Sequence, residues 1–196
     1  MQTGSIRPDA LLVVADTESE LRLVDIAEPE ATVASIRLDV DAYGMDFSPD
    51  GDTLAVALAD NTIAMFDIAD PADPTPVGDP LTGPATVANS AKFSPQGDRL
   101  AVAAVGGQAW IFSRDGDRWV PTEVLRAGLS NLQDVAWSAD GSVLLGGALS
   151  GNTRLWLTDT EDAAAHVCEN AGVHVSEVEW EGLLPGVEYH PPCLAP

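Results

Sequence analysis

An all-β fold built from repeated antiparallel sheets, closed by a short helical tail, is what this 196-residue sequence predicts. Three observations carry the prediction. A turn motif recurs at near-constant spacing along the first four-fifths of the chain. Each copy is followed by a short apolar strand rich in Val, Leu and Ala, the pattern of a strand covered on both faces. A second strand then ends in a large residue at a fixed distance from the turn.

The turn motif is Phe47-Ser48-Pro49-Asp50-Gly51, repeated as Phe93-Ser94-Pro95-Gln96-Gly97 and Trp137-Ser138-Ala139-Asp140-Gly141. A degenerate copy, Ile6-Arg7-Pro8-Asp9-Ala10, precedes them, and successive copies lie 41, 46 and 44 residues apart. Proline sets φ at the second turn position, and glycine supplies the positive φ that closes it. The apolar strands are expected at 11–15, 54–58, 100–104 and 143–148, which places Leu145 in the core. The closing large residues are Phe66, Phe112 and Trp156, each 19 residues after the aromatic of its own turn. First strands are expected near 2–6, 43–47, 87–93 and 132–137. Fourth strands are expected near 33–38, 76–81 and 119–125, and the last repeat offers none. After Thr158, the run Thr160-Glu161-Asp162-Ala163-Ala164-Ala165 reads as a helix start with acids in its first turn. The organisation is therefore repeats over 1–158 and a tail over 159–196.

Repeats of this length and these turns resemble the WD40 family, whose units of about 40–45 residues carry four strands each. The resemblance covers roughly residues 6–158 and implies a WD40-like β-propeller of about four blades. The Gly-His pair of the family is missing from every copy, and Phe66-Asp67 is the nearest approach to its Trp-Asp pair. Four blades are few for a ring of this type, and three closures stay open. The chain is part of a longer propeller, it forms a homodimer that completes the ring, or another protein holds it as a partial ring. From Trp156 onward the sequence is similar to the terminal segment of actinobacterial WD40 proteins, with its two cysteines and Glu-Trp helix. That likeness implies the sensor end of a larger signalling protein.

Composition narrows the partners. Nine Lys and Arg against 31 Asp and Glu give a formal net charge of -22, and Lys92 is the sole lysine. Such a potential repels phosphates and anionic membranes, so the expected partners are other proteins, with no nucleic acid and no membrane. No stretch reaches the roughly 18 apolar residues of a spanning helix, and no secretory signal opens the chain, which points to a cytoplasmic location.

No phosphate loop, nucleophile elbow or zinc-protease motif occurs, so no catalytic, cofactor or metal residues are assigned and an enzyme is not expected. The rival class, a propeller enzyme of lactonase or quinoprotein type, needs ligands on the inner loops. All three histidines lie in the tail instead. Asp16, Asp25, Asp60 and Asp67 stand where Asp caps turns. Binding residues are expected on loops leading into the first strands, at Asn89 and Ser90 and at Ser130 and Asn131. Trp137 and Trp156 belong to the repeat frame and are expected in the core, whereas Trp110, Trp119 and Trp180 fall outside it. Cys168 and Cys193 form an even pair in a loop-rich context and are a disulfide candidate. Closing that loop would stabilise the tail by about 3 kcal/mol on the chain-entropy model. Two free thiols, or a metal held with His166, His174 or His190, are the other readings.

Overall fold

The computed structural model describes residues 4–7, 11–15, 19–126, 128, 131–171, 176–183, 185–186 and 188–189, with the backbone alone at 11–15, 171 and 183. The chain divides into two compact units, Met1–Trp156 and Leu157–Pro196.

The described residues of the first unit form four antiparallel sheets, each a meander in sequence order. Sheet 1 is β1 (Gly4–Ile6), β2 (Leu11–Ala15), β3 (Glu20–Asp25) and β4 (Thr32–Arg37). Sheet 2 is β5 (Ala42–Phe47), β6 (Thr53–Leu58), β7 (Ile63–Asp67) and β8 (Thr75–Pro76), prolonged by an Ile63–Leu81 bridge. Sheet 3 is β9 (Ala88–Phe93), β10 (Arg99–Ala104), β11 (Gln108–Asp115) and β12 (Arg118–Arg126). Sheet 4 has three strands, β13 (Leu132–Trp137), β14 (Val143–Ala148) and β15 (Thr153–Leu157). The first strands neighbour one another in series, β1 beside β5, β5 beside β9 and β9 beside β13.

The turn motif has a shared hydrogen-bond scheme. The Ser48 hydroxyl donates to Asp50 Oδ1 at 2.5 Å and accepts from Thr53 N at 2.9 Å, while Asp52 N donates to Asp50. Ser138, Asp140, Ser142 and Val143 repeat it in sheet 4. In sheet 3 Gln96 occupies the acidic position, and Ser94 turns instead to Asp98 two residues further on, at 2.9 Å. Gly51, Gly97 and Gly141 all hold a positive φ near 75–80°, the region glycine enters without a Cβ penalty. Asp25, Asp60 and Asp67 each accept a backbone N–H two residues on, closing Asx turns; Asp16 lies outside the described residues.

Three apolar clusters fill the spaces between consecutive sheets. Two of the second strands, β6 and β10, follow one rule. Leu54, Val56 and Leu58 pack toward sheet 1, and Ala55 and Ala57 toward sheet 3. Likewise Leu100 and Val102 pack toward sheet 2, and Ala101 and Ala103 toward sheet 4. Along these second strands large residues thus meet the sheet before and small ones meet the sheet after, so that facing layers interdigitate.

Sheet 4 keeps only the first half of that rule. Leu144 is fully buried against sheet 3, whereas Leu145 is 40% exposed, not in the core. The reason is positional, because Leu145 stands where Ala55 and Ala101 stand and the described residues place no sheet beyond it. Trp137 and Trp156 are half-buried beside the same cluster. Trp110 and Trp119 pack against the cluster between sheets 2 and 3, with Trp119 edge-on to Phe93 at 5.8 Å.

In the second unit, α1 (Thr160–Ala171) begins at Asp159, whose carboxylate caps the N–H groups of Glu161 and Asp162. A capping box opens α2 (Glu177–Leu183): Ser176 and Glu179 exchange hydrogen bonds, which holds the Glu179 carboxyl below its ordinary range. Trp180 meets Tyr189 edge-on at 6.0 Å. No described helix is long and apolar enough to cross a membrane.

Candidate functional site

The first strands carry a feature that repeats from sheet to sheet. In β5 the pairing with β6 skips Tyr43, passing from Ala42–Leu58 to Gly44–Ala57. In β9 it skips Asn89 at the same place, and in β13 it skips Gln133. Each residue lies four positions before its frame aromatic, Phe47, Phe93 or Trp137. A β-bulge kinks the strand and re-aims the extra side chain. Three bulges in register therefore set a Tyr, an Asn and a Gln along neighbouring strands.

These residues wall a cavity of about 330 Å³, together with Gly4, Gly44, Met45, Ser90, Lys92 and Asp134. Glycine is required at one point. A Cβ on Gly44 would lie 2.7 Å from Asn89 O and 2.7 Å from Ser90 Cα, so β5 and β9 approach too closely for any side chain there.

Polar links tie the sheets across the site. Asn89 Nδ2 donates to Leu132 O at 2.8 Å, and the Ser90 hydroxyl donates to Asp134 Oδ1 at 2.5 Å. Asp46 accepts from Phe93 N at 3.0 Å and pairs with Lys92 at 3.5 Å, while the Ser5 hydroxyl reaches it at 3.4 Å. Burial pushes the Asp46 carboxyl above its ordinary range, an effect the Lys92 charge and the Phe93 N–H only partly offset. Trp137 Nε1 donates to Lys92 O, and the Arg99 guanidinium lies 4.6 Å from the Trp137 ring centroid.

Asn89 and Ser90 belong to β9, within the strand expected near 87–93 and not on a loop leading into it, with Asn89 the bulge itself. Asn131 bridges to Val105, and its side-chain oxygen accepts from Gly106 N at 3.4 Å. Ser130 lies outside the described residues. Tyr43 and Gln133 were not singled out by the sequence reading. Their signal was available, since both share the register of Asn89 within the repeat frame. Tyr43 is 38% exposed and Gln133 half-buried. The row thus offers a phenol, two amides and the Asp134 carboxylate, groups suited to binding peptide-like donors and acceptors. The tail candidates divide: Cys168 and His166 lie on α1, whereas Cys193, His174 and His190 lie outside the described residues.

Among curated proteins none matches the chain. The family described as WD domain, G-beta repeat matches residues 37–67, which run from the last residue of β4 through the Phe47–Gly51 turn to the end of β7. The chain therefore holds a WD40-like repeat, within an all-β unit of several antiparallel sheets consistent with a WD40-like β-propeller.

Proposed function

We propose that this chain is a WD40-type scaffold or sensor segment whose first-strand face binds another protein, as part of a larger signalling protein. The observation that supports this best is the threefold recurrence of the bulge at Tyr43, Asn89 and Gln133. A bulge costs ladder hydrogen bonds, and three in one register serve to present side chains on a common wall. The wall is preorganised by bonds between sheets, so a partner binds with little ordering cost. WD40 repeats typically act in this way as interaction modules. In this reading residues 1–158 are the blades and 159–196 a tail pinned by a Cys168–Cys193 disulfide. The protein is cytoplasmic, and a second copy completes the ring.

Peptide display against the full immobilised chain tests the binding assignment. Selected peptides are expected to lose at least tenfold in affinity on Tyr43→Ala or Gln133→Ala, and to bind a Leu155→Glu variant as they bind the parent. Selected peptides indifferent to both inner substitutions would overturn the assignment of this face.

A further inference from the structure

The faces of the sheets are not equally covered. Eight and eighteen residues after the frame aromatic stand Ala55 and Met65 in sheet 2, and Ala101 and Ile111 in sheet 3. All four are buried against the sheet that follows. The same positions in sheet 4 are Leu145 and Leu155, and they are 40% and 68% exposed. Two leucines in water, at positions the fold otherwise buries, mark a face built for a neighbour.

Sheet 1 carries the counterpart. The positions that face the preceding sheet, Phe93 and Phe112 in sheet 3, are Ile6 and Val24 in sheet 1. Ile6 is 63% exposed and Val24 partly so. Every described contact between sheets sets a face of the sheet-1 kind on a face of the sheet-4 kind. Among the described residues, one face of each kind is therefore left uncovered.

We propose that a second copy of this chain seats its sheet 1 on Leu145 and Leu155, while the first copy's sheet 1 seats on the same two leucines of the second. The occupant is a second copy because the complement that sheet 4 lacks is the face this chain displays on sheet 1. The exchange makes two identical contacts about a twofold axis and leaves no sheet face open. Eight sheets fall within the four to eight blades with which propellers close. This inference rests on the propeller reading above and adds the faces that meet. A net charge of -22 on each copy opposes the contact at low ionic strength, so salt strengthens it by screening.

Light scattering on the full chain, at low and at high salt, tests the proposal. The expected mass is that of two 20.5 kDa chains, with the two-chain fraction rising with salt. Leu155→Glu and Ile6→Glu, both at exposed sites, are each expected to halve the mass while circular dichroism keeps its strand signature. A single-chain mass for the parent at every salt concentration would overturn the proposal, as would a Leu155→Glu variant that stays a dimer. A one-chain parent whose melting falls on Leu155→Glu would assign the face to the chain's own tail instead. A ladder of larger species would contradict two-copy closure. Peptide binding at Tyr43 and Gln133 reads the scaffold assignment separately, and it is expected to survive loss of the dimer.

Discussion

Ser94 shows what a single hydroxyl does in this repeat. It is fully buried, donates to Asp98 and accepts from Arg99 N at 3.0 Å. Ser94→Ala leaves that N–H without its side-chain partner, and a loss of about 1–3 kcal/mol is expected in urea unfolding. At the same turn in sheet 4, Asp140 accepts from Ser138 and Ser142, which lowers its carboxyl from 3.8 to about 2. A carboxyl whose folded value lies below its unfolded one contributes stability above the unfolded value and loses it as pH falls through the folded one. Stability is therefore expected to drop between pH 4 and 2, and Asp140→Asn is expected to shrink that drop in acid titrations followed by circular dichroism. Asp46 has the opposite sign. Burial raises its carboxyl, so its contribution is present at low pH and lost as pH rises through the raised value.

The strands show how one interface is kept while its residues change. Val56 and Phe66 face sheet 1, and Val102 and Phe112 face sheet 2. The matching pair in sheet 4 is Gly146 and Trp156. A Cβ on Gly146 would come within 2.7 Å of the Trp156 ring and 2.9 Å of Leu132 Cδ1, so the larger ring occupies the volume the valine has given up. Gly146→Val is expected to destabilise by about 1–3 kcal/mol through overpacking. Adding Trp156→Phe is expected to recover much of that loss, in a double-mutant cycle read by denaturant unfolding. These elements were legible from sequence wherever the turn motif marked them. The second strands fall at 53–58, 99–104 and 143–148, within a residue of expectation. The bulges themselves were not legible, because a skipped pairing changes no residue type. The strand near 87–93 was, and the shared register of Tyr43, Asn89 and Gln133 in the repeat frame is the one trace of the bulge row in the sequence.

At the scale of the molecule, burial depends on which sheet is the neighbour, and a residue's own hydrophobicity does not report that. Leu144 and Leu145 read alike in the run Val143-Leu144-Leu145-Gly146-Gly147, yet among the described residues a sheet lies across from Leu144 and none from Leu145. The turns reveal the number of repeats, whereas closure lies outside any single repeat. The side-by-side order of the sheets predicts that neighbouring residues of one second strand differ in what they bury, and comparing Leu144→Asp with Leu145→Asp in urea unfolding checks this, in dilute solution where association contributes nothing. Leu144→Asp sets a charge in an apolar interior, a loss of several kcal/mol, and is expected to abolish the cooperative transition. Leu145→Asp, one residue along the same strand, is expected to unfold within about 1 kcal/mol of the parent. Equal damage from both, or greater damage from Leu145→Asp, would contradict this arrangement of the sheets.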